Sequence, residues 1–322
     1  MLERWLTLRW GLGGPVRLVV DDPAVLASVG AILGAARITV CAAGLGAYGP
    51  TAVRPPDGVG SRITDLLHLD LVPGASPLLL RENGLTSTPV PAGALRGLLG
   101  PPDGPAEGAL LIPEDLAARG ILPADAEQAL LAGAVRAIAA RGHTLVRCAG
   151  ESVPGSVLRE ARRLRLTVEP ADPWAARPAL AVGHTSPTLA ALARTGVPVA
   201  TFGARTLIPT AERVAATLAD LTLPRLTRTG RLVRPRPPAD LQPLLDALAY
   251  TLRPGQLPEL RAAAVAYLSG ADAAARYFPA SGLAALGLPV PGATHRLRRA
   301  LHLGAHPRHA NHARPVGDQP GP

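Results

Sequence analysis

Short apolar runs alternate with amphipathic stretches along most of the chain. Residues 16–20, VRLVV, and 37–41, RITVC, are apolar and rich in β-branched side chains, so each reads as a buried strand. Between them Asp22 has the chemistry of an N-cap and Pro23 suits a first helical position, which predicts a helix over the run to residue 35. Strand, helix, strand implies a parallel sheet with a right-handed crossover. The turn after the second strand, GLGAYGPT at 44–51, then falls at the carboxyl edge, where such sheets bind ligands. The α/β pattern continues over 61–82. Residues 91–107 are crowded with Gly and Pro and mark a boundary, with the linker placed at 101–108.

A second series begins at GALLI, 108–112. The stretch 123–141 has apolar residues at 129, 130, 134, 137 and 138 and predicts a helix. Strands follow at 143–148, 166–170, 178–183 and 197–203, the last of them VPVATFG. Helices follow at 153–165 and at 186–196, the latter closed by Gly196. Beyond 205 the pattern turns helical, over 207–220, 239–253 and 257–276, with a basic, Pro-rich loop at 227–240. The expected architecture is α/β with two Rossmann-like lobes. An incomplete N-terminal lobe covers 1–100 and a nucleotide-binding lobe 109–205. A helical region spans 206–290, and a disordered basic tail 291–322.

Composition changes this picture little. The 322 residues contain 35 Pro and 34 Gly, and every one of the 33 basic residues is Arg. Ala, Leu and Arg dominate in the manner of a GC-rich bacterial genome, so the net charge of +9 carries little weight as a functional signal. The arginines of the body are scattered, whereas a nucleic-acid interface clusters its charge, which argues against nucleic acid. Cys41 and Cys148 each end an apolar run and read as small buried residues in a reducing compartment. No apolar run reaches the length of a membrane span, and the start lacks a signal-peptide core. A cytoplasmic protein, peripheral at most to the inner membrane face, is the expectation.

The stretch GHTSPTLAAL, 183–192, has the strongest local mechanics. Gly183 ends a strand, and a hydroxyl-rich turn starts a helix whose free N–H groups and dipole favour an anion. Thr185, Ser186 and Thr188 could add hydroxyl donors, and His184 charge. An ordinary N-cap, Ser186 followed by Pro187, explains the same residues and is the commoner outcome. His68 and Asp70 alternate with leucines, which reads as a satisfied buried pair. His143 reads as a polar residue at a strand start. Histidines 302, 306, 309 and 312 sit in a low-complexity tail and carry no metal expectation. No zinc spacing, Walker loop, nucleophile elbow or dinucleotide fingerprint occurs, so neither metal nor cofactor is expected.

Four stretches together resemble the bacterial polysialyltransferase family: GLGAYGPT, GSRITDLLHLDLVPGASPLLLRENG, GILPADAEQALLAGAVRAIAARGHTLV and LAVGHTSPTLAALARTGVPV. The resemblance covers residues 1 to about 205. It implies a GT-B-type glycosyltransferase that moves sialic acid from a CMP-sugar, CMP-sialic acid, to a glycan acceptor. It places the donor at Gly183, His184, Thr185, Ser186 and Thr188, and the acceptor at the turn carrying Gly44, Gly46 and Tyr48. The departures are as informative. Where the family has an Asp before the glycine, as general base, this chain has Ala43. Where it has Lys-Pro-His-Pro, whose His contacts the donor phosphate, this chain reads RCAGES. Glu151 is a candidate displaced carboxylate and Arg147 a candidate phosphate contact. Two functions are therefore expected side by side. One is a sialyltransferase with an impaired or altered site. The other is a non-catalytic pseudoenzyme that binds a nucleotide or a partner protein.

Overall fold

The computed structural model describes residues 17–20, 36–42, 44–56, 58–91, 94, 105–175, 177–270 and 275–291. The expected helix after Asp22, position 43, half of the linker and nearly all of the tail lie outside them. The described chain is mixed α/β, with two parallel-dominated sheets and seven α-helices among the described residues.

The first sheet has four parallel strands in sequential order: β1 (Arg17–Val20), β2 (Arg37–Ala42), β3 (Ile63–Leu69) and β4 (Ser87–Val90). One face of β2 buries Ile38, Val40 and Ala42 at period 2, and Ile63 and Leu66 of β3 join them because the pairing shifts register between Ile38 and Thr39.

The second sheet contains β5 (Ala109–Leu111), β6 (Leu145–Ala149), β7 (Thr167–Ala171), β8 (Leu180–Gly183), β9 (Val199–Thr201), β10 (Arg225–Leu226) and β11 (Leu232–Val233). Their spatial order is β11-β10-β9-β8-β5-β6-β7, all parallel except the β10–β11 pair. From β7 to β10 this is the doubly wound order 3-2-1-4-5-6, whose direction reverses between β5 and β8. The expectation of VPVATFG as the last strand is corrected here. Strands β10 and β11 come out of the stretch read as helix and loop, because two-residue strands leave no periodicity to read.

Helix α1 (Ala124–Ala140) crosses from β5 to β6 and buries Leu131, Ala134, Val135 and Ile138. Each large apolar side chain so buried contributes about 1.5–3 kcal/mol. Helix α2 (Gly155–Leu164) joins β6 to β7, and α3 (Pro187–Thr195) joins β8 to β9, ending at Gly196 in the left-handed region, φ 92°. Helices α4 (Arg213–Thr222), α5 (Gln242–Leu252), α6 (Arg261–Ser269) and α7 (Ala280–Ala285) follow. They share one core with the N-terminal unit: Leu45, Tyr48, Val72 and Leu78 pack in a single cluster with Leu218, Leu248, Leu268 and Tyr277. The segment before α7 is pinned by a buried carboxylate. Asp220 accepts from Arg205 Nε at 2.7 Å and from the Tyr277 hydroxyl at 3.0 Å. Burial pushes the Tyr277 phenol up to about 12.

Candidate functional site

The turn 44–51 is built as a platform. Leu45–Tyr48 form one 3-10 turn whose Leu45, Ala47 and Tyr48 are buried. Tyr48 was expected on the acceptor side, yet its ring is fully buried. Its hydroxyl accepts from Val72 N–H at 3.1 Å and donates to Leu69 C=O at 3.4 Å, so both ends of the phenol hold the loop after β3. Burial raises its pKa. Thr51 is spent likewise, its Oγ1 accepting from Leu80 N–H at 2.8 Å. Gly49 lies against α4, where an added Cβ would stand 2.9 Å from Val214 Cγ2. Gly44 faces α3, its hypothetical Cβ 3.4 Å from that of Pro187. Gly44 and Gly46 line open space; Tyr48 does not.

That space is a cleft of about 890 Å³ between the carboxyl edges of the two sheets. Gly44, Gly46 and Thr51 come from the first, and Ile112, Thr185, Ser186 and Thr188 from the second. The β5–β8 reversal opens into it, the position where doubly wound sheets bind ligands.

The start of α3 is already occupied by the chain's own carboxylate. Glu114 Oε1 accepts from the N–H groups of His184 at 2.5 Å and Thr185 at 2.8 Å. Oε2 accepts from Thr185 N–H at 3.0 Å and from Thr185 Oγ1 at 2.8 Å. Ser186 Oγ accepts from Thr188 N–H at 3.1 Å as an N-cap. Four of the donors expected for an incoming anion, the N–H groups of His184, Thr185 and Thr188 and the Thr185 hydroxyl, are therefore engaged from within. Glu114 follows β5 directly and reaches across 70 residues of sequence to do this. Reading stretch by stretch missed it. The signal available was its place, an acid just past a strand end at the reversal point.

The cleft's charge is also unfavourable to a phosphate. Its charged lining residues are Glu114, Asp115, Glu212 and Arg119, a net −2, and Arg119 already pairs with Glu212 at 2.6 Å. His184 does not line the cleft. It is fully buried, with Nδ1–H donating to Phe202 C=O at 2.5 Å and Nε2 without a partner among the described residues. Glu151 is exposed and does not line the cleft, so it is not placed as a displaced base. Arg147 is spent on Glu169 at 2.9 Å and on Glu107 C=O at 3.1 Å, away from the cleft. His68 and Asp70 do not form the expected satisfied pair: Asp70 bridges to Arg194 at 3.6 Å, and buried His68 Nδ1 has no hydrogen-bond partner among the described residues. Burial lowers the His68 pKa, with Asp70 opposing. Burial also raises the Cys148 thiol to about 11, so it stays an inert core group. Ala43 lies outside the described residues, as do the tail histidines.

Among the described residues no cluster of His, Cys, Asp or Glu has the makings of a metal site, and no helix is long and apolar enough to cross a membrane. No family model matches the chain, and neither a curated protein nor a solved structure gives a match.

Proposed function

We propose that this chain is a polysialyltransferase-like protein of the GT-B type that no longer transfers sialic acid. On this reading the two sheets are two Rossmann-like lobes. The cleft between them is the former site of CMP-sialic acid and glycan acceptor, kept as a binding cleft for a ligand without a phosphate or for a partner protein. One observation carries the choice of the non-catalytic reading: Glu114 takes the N–H groups of His184 and Thr185 in the turn just before α3, where the donor phosphate would sit. A phosphate would have to displace a carboxylate held by four hydrogen bonds and then lie among further carboxylates. The replacement of the family's general base by Ala43 points the same way, since such a base contributes ~10²–10⁴-fold. A place in the cytoplasm, peripheral to the inner membrane face, belongs to the same reading.

Calorimetric titration with CMP, against UMP and GMP, tests it together with a transfer assay from CMP-sialic acid to an oligosialic acceptor. The wild-type protein should show no saturable CMP binding and no transfer. Robust turnover by the wild type would overturn the reading and make Glu114 a displaceable occupant of a working site.

A further inference from the structure

A groove along α1 shares no lining residue with the cleft. Its volume is about 670 Å³, within the ~300–1,000 Å³ of small-molecule sites. One wall is α1, through Ala126, Ala129 and Leu130, with Leu122 just before the helix. The other is the chain after β9, through Phe202 and Thr206. The two walls meet where Phe202 lies on Gly133: an added Cβ there would stand 3.0 Å from Phe202 Cε1 and push the ring aside. Thr206 donates its hydroxyl to Gly203 C=O, so this wall adds no free donor.

The two ends of the groove differ. Ala126 and Arg136 are about 15 Å apart along the helix axis at 1.5 Å per residue. The Ala126 end offers apolar groups. The other end carries Arg136 and Arg228, and no other charged residue lines the groove among the described residues. Arg228 is brought there by the turn 227–230, whose Gly230 C=O accepts from Arg141 Nη1 at 3.3 Å, at the end of α1. Its guanidinium has no hydrogen bond or ion pair among the described residues. Arg136 gives Nη1 to Glu160 at 3.2 Å, off the groove, and turns Nη2 back over Gly133, 3.8 Å from where a Cβ would be. Both guanidinia are exposed and form the rim. A ligand that complements this lining has an apolar body and an anionic head that stays in touch with water.

We propose that the groove binds an aliphatic monocarboxylate of medium chain length. The carboxylate lies between Arg136 and Arg228, and the hydrocarbon runs past Phe202 and Ala129 towards Leu122. At ~1.25 Å of reach per saturated C–C bond, ~15 Å is about ten to twelve carbons. A guanidinium fork grips a carboxylate by two parallel bonds. A phosphate head would bring more charge to an apolar surface, at a higher desolvation cost.

The test is an NMR titration of the full chain with sodium decanoate below its micelle concentration, reading the amide signals of Gly133, Phe202, Gly203 and Thr206. These should shift with saturation. Affinity should rise on the order of tenfold at each step from hexanoate to octanoate to decanoate, the scale of two buried CH₂ groups. Decylamine, with the same body and the opposite charge, should bind on the order of tenfold more weakly than decanoate. Arg228→Gln should weaken decanoate by a similar factor. Ala129→Phe fills the groove from its exposed wall and should abolish the shifts at an unchanged urea midpoint. Unmoved amides in the wild type would overturn the proposal. So would affinity independent of chain length, equal binding of decylamine, tighter binding of decyl phosphate, or shifts that persist in Ala129→Phe. Shifts of the same amides on concentrating the protein alone would give the groove to a second copy of the chain and overturn it as well. None of these outcomes bears on the CMP titration, because the two sites have no lining residue in common.

Discussion

Helices α2 and α3 start at the same edge of one sheet, and their first turns are finished in opposite ways. At α3 four donors are matched from within: Ser186 Oγ accepts from Thr188 N–H, and Glu114 takes the N–H groups of His184 and Thr185 and the Thr185 hydroxyl. At α2 the cap position is Pro154, which has no side-chain oxygen, and the N–H groups of Gly155, Ser156 and Val157 have no acceptor among the described residues. The start that looks most like an anion site in sequence is the closed one, and the start that looks ordinary is open. Hydroxyls near a helix start thus say little about binding until the acceptors that reach them from elsewhere in the chain are known.

The largest expected effect comes from emptying the closed start. Glu114→Ala leaves two N–H groups and the Thr185 hydroxyl without their acceptor. Loss of these three charge-assisted bonds should lower the unfolding free energy by roughly 4–5 kcal/mol. The same variant should gain affinity for inorganic phosphate, which the wild type should lack. Urea unfolding with and without phosphate reads both, and an unchanged midpoint would mean that Glu114 is not what completes α3.

Smaller changes sharpen the contrast. Ser186→Ala removes the cap hydroxyl and should cost ~1 kcal/mol. Pro154→Asp supplies α2 with the cap it lacks. It should stabilise the protein by about 0.5–1 kcal/mol, read as a rise in the urea midpoint. An unchanged midpoint would mean that solvent already completes the start of α2.

The smallest effect is a pH dependence from the other wall of the molecule. Burial holds the His68 pKa below its ordinary value of 6.5. The unfolded chain therefore takes up a proton as pH falls through 6.5, while the folded chain resists until lower pH. Stability that is full above 6.5 is lost progressively below it. His68→Leu should flatten the decline in urea midpoint between pH 7 and 5.5. His143, lowered by burial and by Arg141, leaves a residual slope in the same direction.

Local signals in the sequence located most elements of the large sheet. The apolar period of 124–140, the Ser186–Pro187 start and the Gly196 stop of α3 appear where the pattern puts them. Strands of two residues such as Arg225–Leu226 carry no period and were not legible. At the site, Gly44 and Ser186 were legible as cleft residues, and both line it. The roles of Tyr48 and Glu114 were not, for one reason. Each is decided by partners outside its own stretch, Val72 for Tyr48 and residues 184–185 for Glu114. Tyrosine in a glycine-rich turn reads as available, and only tertiary packing reveals that its hydroxyl is already engaged twice.

The single core beneath the cleft fixes how the protein can move. Many two-lobed enzymes close over their ligand by a hinge, which needs two bodies joined by little more than a strip of chain. Here Leu45, Tyr48 and Leu78 of one unit interlock with α4 and α5, and Ser76 N–H is held by Gln242 at 2.8 Å. Swinging the units apart would expose that shared interior to water. The aperture of the cleft is therefore set at folding, and a ligand meets a mouth of constant width rather than a jaw.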